Sequence, residues 1–424
     1  MRRRLVELNI WYIHHYGGGP NLGSYDRPYQ LSRAWQRQGH STTNFIASYH
    51  HLLERRSPVE GELTINGVDY VAIPSRPYGK NGVSRLLNIW DFSRNLYSVR
   101  CGSMKDPGSP KIVIASSPHP FTIFPAHRLA KRYGAKLIFE IRDIWPLSIT
   151  EILGTSRFHP FVQMCAFAER FALKNSDLIA SVLPRADRYL ADRGYGKKPF
   201  VWVPNGIGMS KAKAESLSSE AGQLASEKLK EWRAQGKVSI IYTGSIGKPN
   251  AIDLLLKALA YGESIGEGGR CAALIVGKGE QVEALRAFIS GKRLSNVHFS
   301  GSVPKNDAVS LLSEADIGYA GLKNIESLFG YGISPNKIAD YFQASLPVIL
   351  PITPCGDPVS ESGGGIARRA ETPEEVWSGL RDLIALSPEA RKNLGAKGKA
   401  YMLREYDYDR IARRYVEAVE QCSS

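Results

Sequence analysis

The 424-residue sequence has no run of 18 apolar residues, no paired-cysteine spacing and no low-complexity tract. A helix that crosses a bilayer needs about 20 consecutive apolar residues, so no membrane-spanning helix is expected. The cysteines Cys101, Cys165, Cys271, Cys355 and Cys422 stand far apart. That spacing excludes a disulfide framework and a zinc ribbon, and it suits a reducing compartment. Acidic side chains are also in short supply: 41 Asp and Glu against 55 Lys and Arg give a formal net charge of +14. The deficit is local. Residues 1–204 hold 28 basic and 15 acidic side chains, whereas residues 205–424 hold 27 and 26. An excess confined to one half describes that half's partner, and the options are nucleic acid, an anionic membrane surface or a phosphorylated substrate. Met1-Arg2-Arg3-Arg4 could open a signal peptide. However, Glu7 and Asn9 interrupt the apolar run that follows, and Gly17-Gly18-Gly19-Pro20 ends it. It reads as a buried first strand, Arg4 to Ile13, of a cytoplasmic protein.

What is present is a regular alternation of short apolar runs and helical patterns. In the first half, strands are expected at 5–13, 43–47, 68–73, 111–116, 136–141, 177–182 and 200–203. Helices are expected at 28–38, 84–99, 121–133, 159–174 and 184–192. Near-continuous apolar strands such as Ile112-Val113-Ile114-Ala115 fit parallel strands covered on both faces. The stretch 63–74 alternates about Asn66-Gly67 and reads as a hairpin. The second half repeats the pattern, with strands at 238–243, 272–276, 297–299, 317–320 and 347–350. Its helices fall at 250–261, 281–290, 307–313, 335–344, 373–386 and 388–404. The fold class is therefore α/β, with two doubly wound Rossmann-like domains. The expected boundaries are 1–204 and 205–408, with a last helix of about 409–424 packing back on the first domain. The polar stretch 209–235 reads as an exposed linker carrying one helix.

In open parallel sheets, ligands bind outside the carboxyl ends of the strands, and the chemistry-bearing residues fall there. The first strand runs into the loop holding Gly18 and Gly19, where backbone amides can approach an anion; a tight β–α turn would need the same glycines. His119, in Ser116-Ser117-Pro118-His119-Pro120, follows another strand and can bond a sugar hydroxyl or share a proton; a turn histidine bonded to nearby backbone reads equally well. Asp143 ends the next strand in Glu140-Ile141-Arg142-Asp143, facing a ligand or paired with Arg142. Gly244-Ser245 and Gly277-Lys278-Gly279 leave two strands of the second half as glycine turns before helices. The most informative pattern is Gly332-Ile333-Ser334-Pro335-Asn336-Lys337-Ile338-Ala339-Asp340. Ser334 reads as an N-cap and Pro335 as the first helical residue. Lys337 then lies in the first turn, against the helix dipole, where a bound diphosphate would account for it. Asp340 is three residues on and shares its face; a surface Lys–Asp pair is the plainer reading. His14-His15 point to opposite faces of a strand, and Asp407-Tyr408-Asp409 sits where a helix cap is expected, so no metal site is assigned.

Taken in order, these motifs resemble the retaining family-4, or group 1, glycosyltransferases of the GT-B fold. The resemblance rests on the glycine loop and Gln38-Gly39-His40, on Val203-Pro204-Asn205-Gly206-Ile207, and on Leu274–Gly279, Val297–Val303 and Ala315-Asp316-Ile317. The SSPHP, RDIWP and SPNKIADY spellings are most similar to bacterial transferases for lipopolysaccharide and capsule, including N-acetylfucosamine transferases. The resemblance implies a UDP-sugar held mainly by the second domain, with Asp340 on the ribose, uracil near Gly277, Gly279 and Val303, and Gly18 and Gly19 near the phosphates. It makes His119 the active-site histidine, near the transferred sugar. It also exposes departures. The family's first acid falls on Gly332, and its basic pair falls on Ser245 and Asn250. Lys337, with the helix start Gly332–Ser334, is expected to stand in for the cations, and Glu326 for the acid.

The leading expectation is transfer of a sugar from a UDP-sugar, with no metal or other cofactor, to a lipid-linked saccharide for cell-surface polysaccharide. The helix at 84–100 mixes Arg85, Arg94 and Arg100 with Leu86, Leu87, Trp90, Phe92 and Tyr97, which suits either an anionic membrane surface or the core. The alternatives are a GT-B nucleotide-sugar epimerase, a non-catalytic nucleotide-sugar-binding relic, or a nucleic-acid-binding protein; no nucleic-acid module supports the last.

Overall fold

The structure, a computed structural model, describes residues 7–54, 58–79, 82–99, 108–208 and 217–422. Arg4 to Val6 of the expected first strand, Arg100, Cys101 and the first part of the expected linker lie outside the described residues. The chain divides into two units. The first is Met1–Gly208 with Gly330–Gly332 and Tyr406–Ser424; the second is Met209–Phe329 with Ile333–Glu405.

The first unit runs β1 (Asn9–Ile13), α1 (Arg27–Arg37), β2 (Ser41–Ala47), β3 (Gly61–Ile65), β4 (Val68–Ile73), α2 (Val83–Asn95), β5 (Ile112–Ser117), α3 (Ile123–Tyr133), β6 (Lys136–Ile141), α4 (Leu147–Leu153), α5 (Pro160–Asn175), β7 (Leu178–Ser181), α6 (Ala186–Asp192) and β8 (Phe200–Trp202). The sheet order is β3-β4-β2-β1-β5-β6-β7-β8. All pairings are parallel except the β3–β4 hairpin, which turns at Asn66 and Gly67 with positive φ at both. Apolar residues on both faces of these strands build two cores. Trp11, Ile13, Phe45, Val113 and Phe139 pack under α2, α3 and α5. Ile10, Tyr12, Ile114 and Ile138 pack under α1 and the last helix.

The second unit runs α7 (Glu220–Ala234), β9 (Val238–Thr243), α8 (Ile252–Ser264), β10 (Cys271–Val276), α9 (Val282–Lys292), β11 (Val297–Gly301), α10 (Lys305–Glu314), β12 (Ile317–Tyr319), α11 (Glu326–Phe329), α12 (Asn336–Gln343), β13 (Val348–Leu350), α13 (Pro358–Ser362), β14 (Gly365–Ala367), α14 (Pro373–Ile384) and α15 (Pro388–Glu405). Its sheet, β11-β10-β9-β12-β13-β14, is wholly parallel. In strand sequence this is the 3-2-1-4-5-6 Rossmann order, whose switch point lies between β9 and β12. The switch point of the first sheet lies correspondingly between β1 and β5.

The stretch expected as an exposed linker with one helix does carry that helix, α7, but the helix is packed rather than exposed. In α7, Ala225, Leu229 and Trp232 form a buried stripe at helical spacing. Ser219 caps the helix, and Asp307 accepts bonds from the amides and hydroxyls of Ser218 and Ser219. The last helix, α16 (Tyr408–Gln421), returns to the first unit. Ile411, Ala412, Tyr415 and Val416 turn inward, and Trp35 Nε1 donates to the Ala412 carbonyl at 3.0 Å.

Beneath that helix lies a buried polar cluster. Glu140, fully buried at the end of β6, accepts from Arg27 Nε and Arg142 Nη1, each at 3.2 Å, and from the Tyr12 and Tyr415 hydroxyls at 2.9 and 2.5 Å. Burial by itself would raise this carboxyl, but Arg27, Arg142 and the two phenols together hold it below the usual range. Arg27 also donates to the carbonyls of Val203 and Pro204. One ionic group thus joins β6, α1, the chain leaving β8, and α16.

Candidate active site

Both switch points carry chemistry-bearing side chains. In the first unit, β1 and β5 are paired in register, Ile13 against Ala115, and each strand continues into a histidine. His15 Nδ1 and His119 Nε2 are 2.9 Å apart, and both rings are fully buried. On its other side, His15 Nε2 lies 2.7 Å from Asn88 Oδ1, which α2 supplies. Asn88 Nδ2 donates to the carbonyls of Tyr49 and Arg76 at 3.0 and 2.7 Å. Burial, followed by the nearby Arg85, pushes His119 down to about 3, so its ring is neutral at physiological pH. Burial and then the neighbouring His119 lower His15 as well. His119 Nδ1 is buried and has no hydrogen-bond partner among the described residues. The turn-histidine reading, in which backbone satisfies this ring, is not what the structure shows. His14 points away from His15 and stacks on Tyr25, with centroids 4.6 Å apart.

The other first-unit residues are placed differently. The amides of Gly18 and Gly19 donate to the carbonyls of Tyr25 and Gly23 at 2.8 and 3.2 Å. They do not present donors to a phosphate in this conformation, which corrects the expectation. The glycines supply space: a Cβ at Gly18 would come within 2.5 Å of the Gly23 carbonyl oxygen. Asp143 does not pair with Arg142, whose guanidinium turns to Glu140 and Asn205 and lies 4.8 Å over the Tyr25 ring. Asp143 remains exposed after β6, and among the described residues no hydrogen bond or ion pair joins it to His119.

In the second unit, Gly244, Ser245, Gly277 and Gly279 meet at the carboxyl ends of β9 and β10. A Cβ at Gly277 would lie 1.9 Å from the Gly244 oxygen, and one at Gly279 would lie 2.2 Å from that of Ile246. Both turns can cross so closely only without side chains. The Gly277 amide donates to the Gly301 carbonyl, and Val303 follows two residues later, half-buried. Lys337 reaches the switch point itself. Its Nζ donates to Asn250 Oδ1 at 2.6 Å, lies 3.4 and 3.5 Å from the Tyr242 hydroxyl and the Gly321 carbonyl, and sits 4.7 Å from the Tyr242 ring centroid. Asn250 Nδ2 and the Tyr242 hydroxyl both donate to the Ser245 carbonyl, which turns the Asn250 oxygen toward the ammonium. Every partner of Lys337 is neutral. Among the described residues no carboxylate lies within ion-pair distance, so the Lys–Asp surface pair is absent. Desolvation alone lowers this amine to about 8.

Three details correct the reading of the 332–340 segment. Helix α12 begins at Asn336 with Pro335 as its cap, because Pro335 is extended (ψ 123°), and the Ser334 side chain does not cap it. Gly332 groups with the first unit: Tyr331 accepts from the Arg185 amide and donates to Asp192. Ile333, buried, starts the return to the second unit. Asp340 is solvent-exposed on α12, although partial desolvation, opposed by Lys305, raises its carboxyl. Glu326, proposed for the missing acid, is exposed and engaged with Arg369 at 2.5 Å. In the Asp407–Asp409 pair, Asp407 caps α16 and Asp409 binds Arg37.

Two doubly wound Rossmann-like units of this topology constitute the GT-B fold. Solved structures share it over the whole length. Sucrose-phosphate synthase from Thermosynechococcus elongatus covers 98% of this chain and 99% of its own, with a TM-score of 0.69 at 14% identity. The Anabaena protein HepE, solved with UDP and glucose, covers 98% and 100%, with a TM-score of 0.63 at 13% identity. Residues 23–206 match the family of glycosyl transferase 4-like domains. An uncharacterized glycosyltransferase of Methanocaldococcus jannaschii is 21% identical over 255 residues, which span 59% of this chain and 60% of the relative.

Proposed function

We propose that the protein is a metal-independent glycosyltransferase. It would move a sugar from a UDP-sugar to a lipid-linked saccharide at the cytoplasmic face of an anionic membrane, with retention, in the assembly of cell-surface polysaccharide. The observation that carries this reading is the Lys337 ammonium, held at the switch point of the second unit among neutral partners only. A desolvated cation without a counter-charge is costly, and a diphosphate supplies the missing charge. Breaking a glycosidic bond to UDP leaves negative charge on the leaving diphosphate, and a fixed cation there stabilises it. The 2.6 Å contact with Asn250 also brings this cation to a position where the family resemblance expects a basic residue.

UDP as the nucleotide is supported by the likeness to HepE, which was solved with UDP and glucose. In this reading Asp340 binds ribose, and the glycine crossing at Gly244, Ser245, Gly277 and Gly279, with Val303, Ile333 and Ser334, encloses the nucleotide. His119 acts on the transferred sugar and Asp143 on the acceptor side. The SSPHP and SPNKIADY spellings favour an N-acetylhexosamine of the N-acetylfucosamine kind as that sugar.

The membrane part rests on α2. Ile89 and Phe92 face the core, while Val83, Leu86, Leu87 and Trp90 face solvent beside Arg94. Among the described residues no helix is long and apolar enough to cross a membrane. The test is to incubate the protein with a panel of UDP-sugars and lipid-linked saccharides and to measure UDP release. UDP release that requires one donor and one acceptor supports the reading. No release and no UDP binding would remove it.

A further inference from the structure

We propose that Asn88 and His15 are positioning residues that fix the tautomer of His119, leaving its Nδ1 as a bare acceptor for a hydroxyl of the transferred sugar. This rests on the reading of the protein as a glycosyltransferase, and it adds two residues that neither motif nor family resemblance singles out.

The chain of constraint begins at Asn88. Its Nδ2 faces two backbone carbonyls, those of Tyr49 and Arg76. A flipped amide would aim an oxygen at both of them, so the orientation is set and Oδ1 faces His15. An oxygen that only accepts, 2.7 Å from His15 Nε2, requires a proton on that nitrogen. His15 is then a neutral imidazole protonated at Nε2, and its Nδ1 carries a lone pair. His119 Nε2 lies 2.9 Å from that lone pair and must donate to it. The proton of His119 is therefore on Nε2, and Nδ1 has none.

The alternatives fail on the same geometry. Moving the His15 proton to Nδ1 would set two lone pairs against each other at 2.7 Å, on His15 Nε2 and Asn88 Oδ1. A doubly protonated His15 would bury a cation, which its surroundings oppose.

The result is a buried nitrogen lone pair with no partner among the described residues. Such a group is costly unless something completes it, and functional sites are where such groups persist. It lies at the β1–β5 switch point, where a sheet of this topology binds its ligand. A sugar hydroxyl is a donor of the right kind, whereas a phosphate oxygen is not, so the lone pair selects for sugar over diphosphate. The packing holds the rings still: His15 lies 4.7 Å from Phe92, and the two imidazoles meet edge-on at 83°.

The test is ¹⁵N NMR of the histidine rings in the full-length protein, together with transfer kinetics. In the wild type at pH 7, His119 is expected as a single neutral tautomer protonated at Nε2. Asn88→Ala and His15→Leu should each replace it by a mixture. Both should lower kcat roughly 10- to 100-fold, the scale for outer-shell partners that orient a functional histidine, with UDP affinity unchanged. His15→Asn, which keeps an acceptor near the position of Nδ1, should restore much of both the tautomer and kcat, and it controls for folding. A wild-type His119 protonated at Nδ1, or a tautomer unmoved in both variants, overturns the proposal. So does a lost tautomer with unchanged kcat. The tautomer is read without substrate. A locked tautomer in a protein that transfers no sugar would therefore count against the transferase reading and not against the relay.

Discussion

Lys337 Nζ rests 2.6 Å from Asn250 Oδ1, a contact that joins the first turn of α12 to the turn before α8 across 87 residues. The ammonium that the sequence places against a helix dipole is thereby carried to the middle of the second sheet's carboxyl edge. Its three nearest acceptors are all uncharged, so an anion should bind there with little competition. Lys337→Ala should weaken UDP binding by about 1.5–3 kcal/mol, the scale of a charge-assisted hydrogen bond. If Asp340 binds the ribose, Asp340→Ala should weaken both UDP and uridine. Titration calorimetry with the two ligands separates them, and unchanged UDP affinity in folded Lys337→Ala would remove the diphosphate site.

The same side chain gives a pH dependence whose sign follows from its pKa of about 8. Well below pH 8 the free protein carries the ammonium, and UDP affinity is expected to be highest there. As pH rises from 7 to 9 the amine loses its proton and affinity should fall. A bound diphosphate favours the charged form, so binding near pH 8 should take up a proton. For stability the direction is opposite. The folded pKa lies below the ordinary lysine value of 10.5, so folding disfavours the ammonium and the UDP-free protein gains stability as pH rises from 8 toward 10.5. Lys337→Met should raise the Tm of the UDP-free protein and flatten the pH profile of UDP affinity. A profile that survives this substitution would place the titrating group elsewhere.

Lys337 also bears on metals. If it neutralises the leaving diphosphate, transfer should continue in EDTA and be indifferent to added Mg²⁺ or Mn²⁺. Inactivation by chelation, reversed by either ion, would show that the charge is compensated another way.

His119→Ala should fold, keep its UDP affinity and lose most transfer. A single-turnover measurement at saturating donor is the direct check. Equal turnover in the variant would leave His119 with a packing role only.

These residues show what the sequence could and could not disclose. The alternation of strands and helices was legible because parallel strands buried on both faces, such as Ile112–Ser117, read as continuous apolar runs. Helix α4 escaped because only Ile149 is buried along Leu147–Leu153, and β14 escaped because it is three residues long and begins with glycine. The helix within 209–235 is legible, but its burial is not, since polar residues outnumber the buried stripe of α7. His119 and Lys337 stood out by local context alone. Their partners did not: His15 is 104 residues from His119, and Asn250 is 87 from Lys337. Only the sheet order brings those strand ends together. Whether the Gly18 and Gly19 amides would face a ligand or the loop's own carbonyls was likewise set by tertiary closure, which glycine spacing does not encode.

The Glu140 cluster should dominate the stability of the first unit. Glu140→Gln keeps the shape but leaves Arg27, itself almost fully buried, without its full counter-charge. Removing one partner of a buried pair typically costs about 3–5 kcal/mol. Chemical denaturation should show a loss of this order, larger than for Asp409→Asn, whose pair with Arg37 is exposed on both sides. Equal losses would mean that the cluster's phenols and backbone carbonyls, rather than its charges, hold α16 in place.

Docking on an anionic membrane surface is the expectation that charge and exposed apolar surface in the same unit motivate. Residues 1–204 carry nearly twice as many basic as acidic side chains. Among the described residues, ten large apolar side chains of the first unit are exposed, from Val83 to Phe167, against Leu224, Ile265 and Leu403 in the second. Trp90 is 61% and Val83 72% exposed, so α2 presents a second apolar side outward, besides the Ile89 and Phe92 side that faces the core. An interface helix of this kind adds apolar insertion to electrostatic attraction. Each Lys or Arg near an anionic surface contributes about 1 kcal/mol, and the attraction fades within a Debye length of about 8–10 Å. Binding should therefore be peripheral and reversible, strong on anionic vesicles at low salt and weak on neutral ones or at high salt. Val83→Ser with Trp90→Ser removes apolar surface that is mostly in water already, so Tm should change little while sedimentation with vesicles falls. Arg94→Glu should act on the anionic vesicles alone. Partitioning that ignores lipid charge would leave the basic excess to a phosphorylated acceptor. Sedimentation unchanged by the double substitution would move the contact from α2 to the exposed side chains around Phe158 and Phe167, which the corresponding serine substitutions would then disrupt.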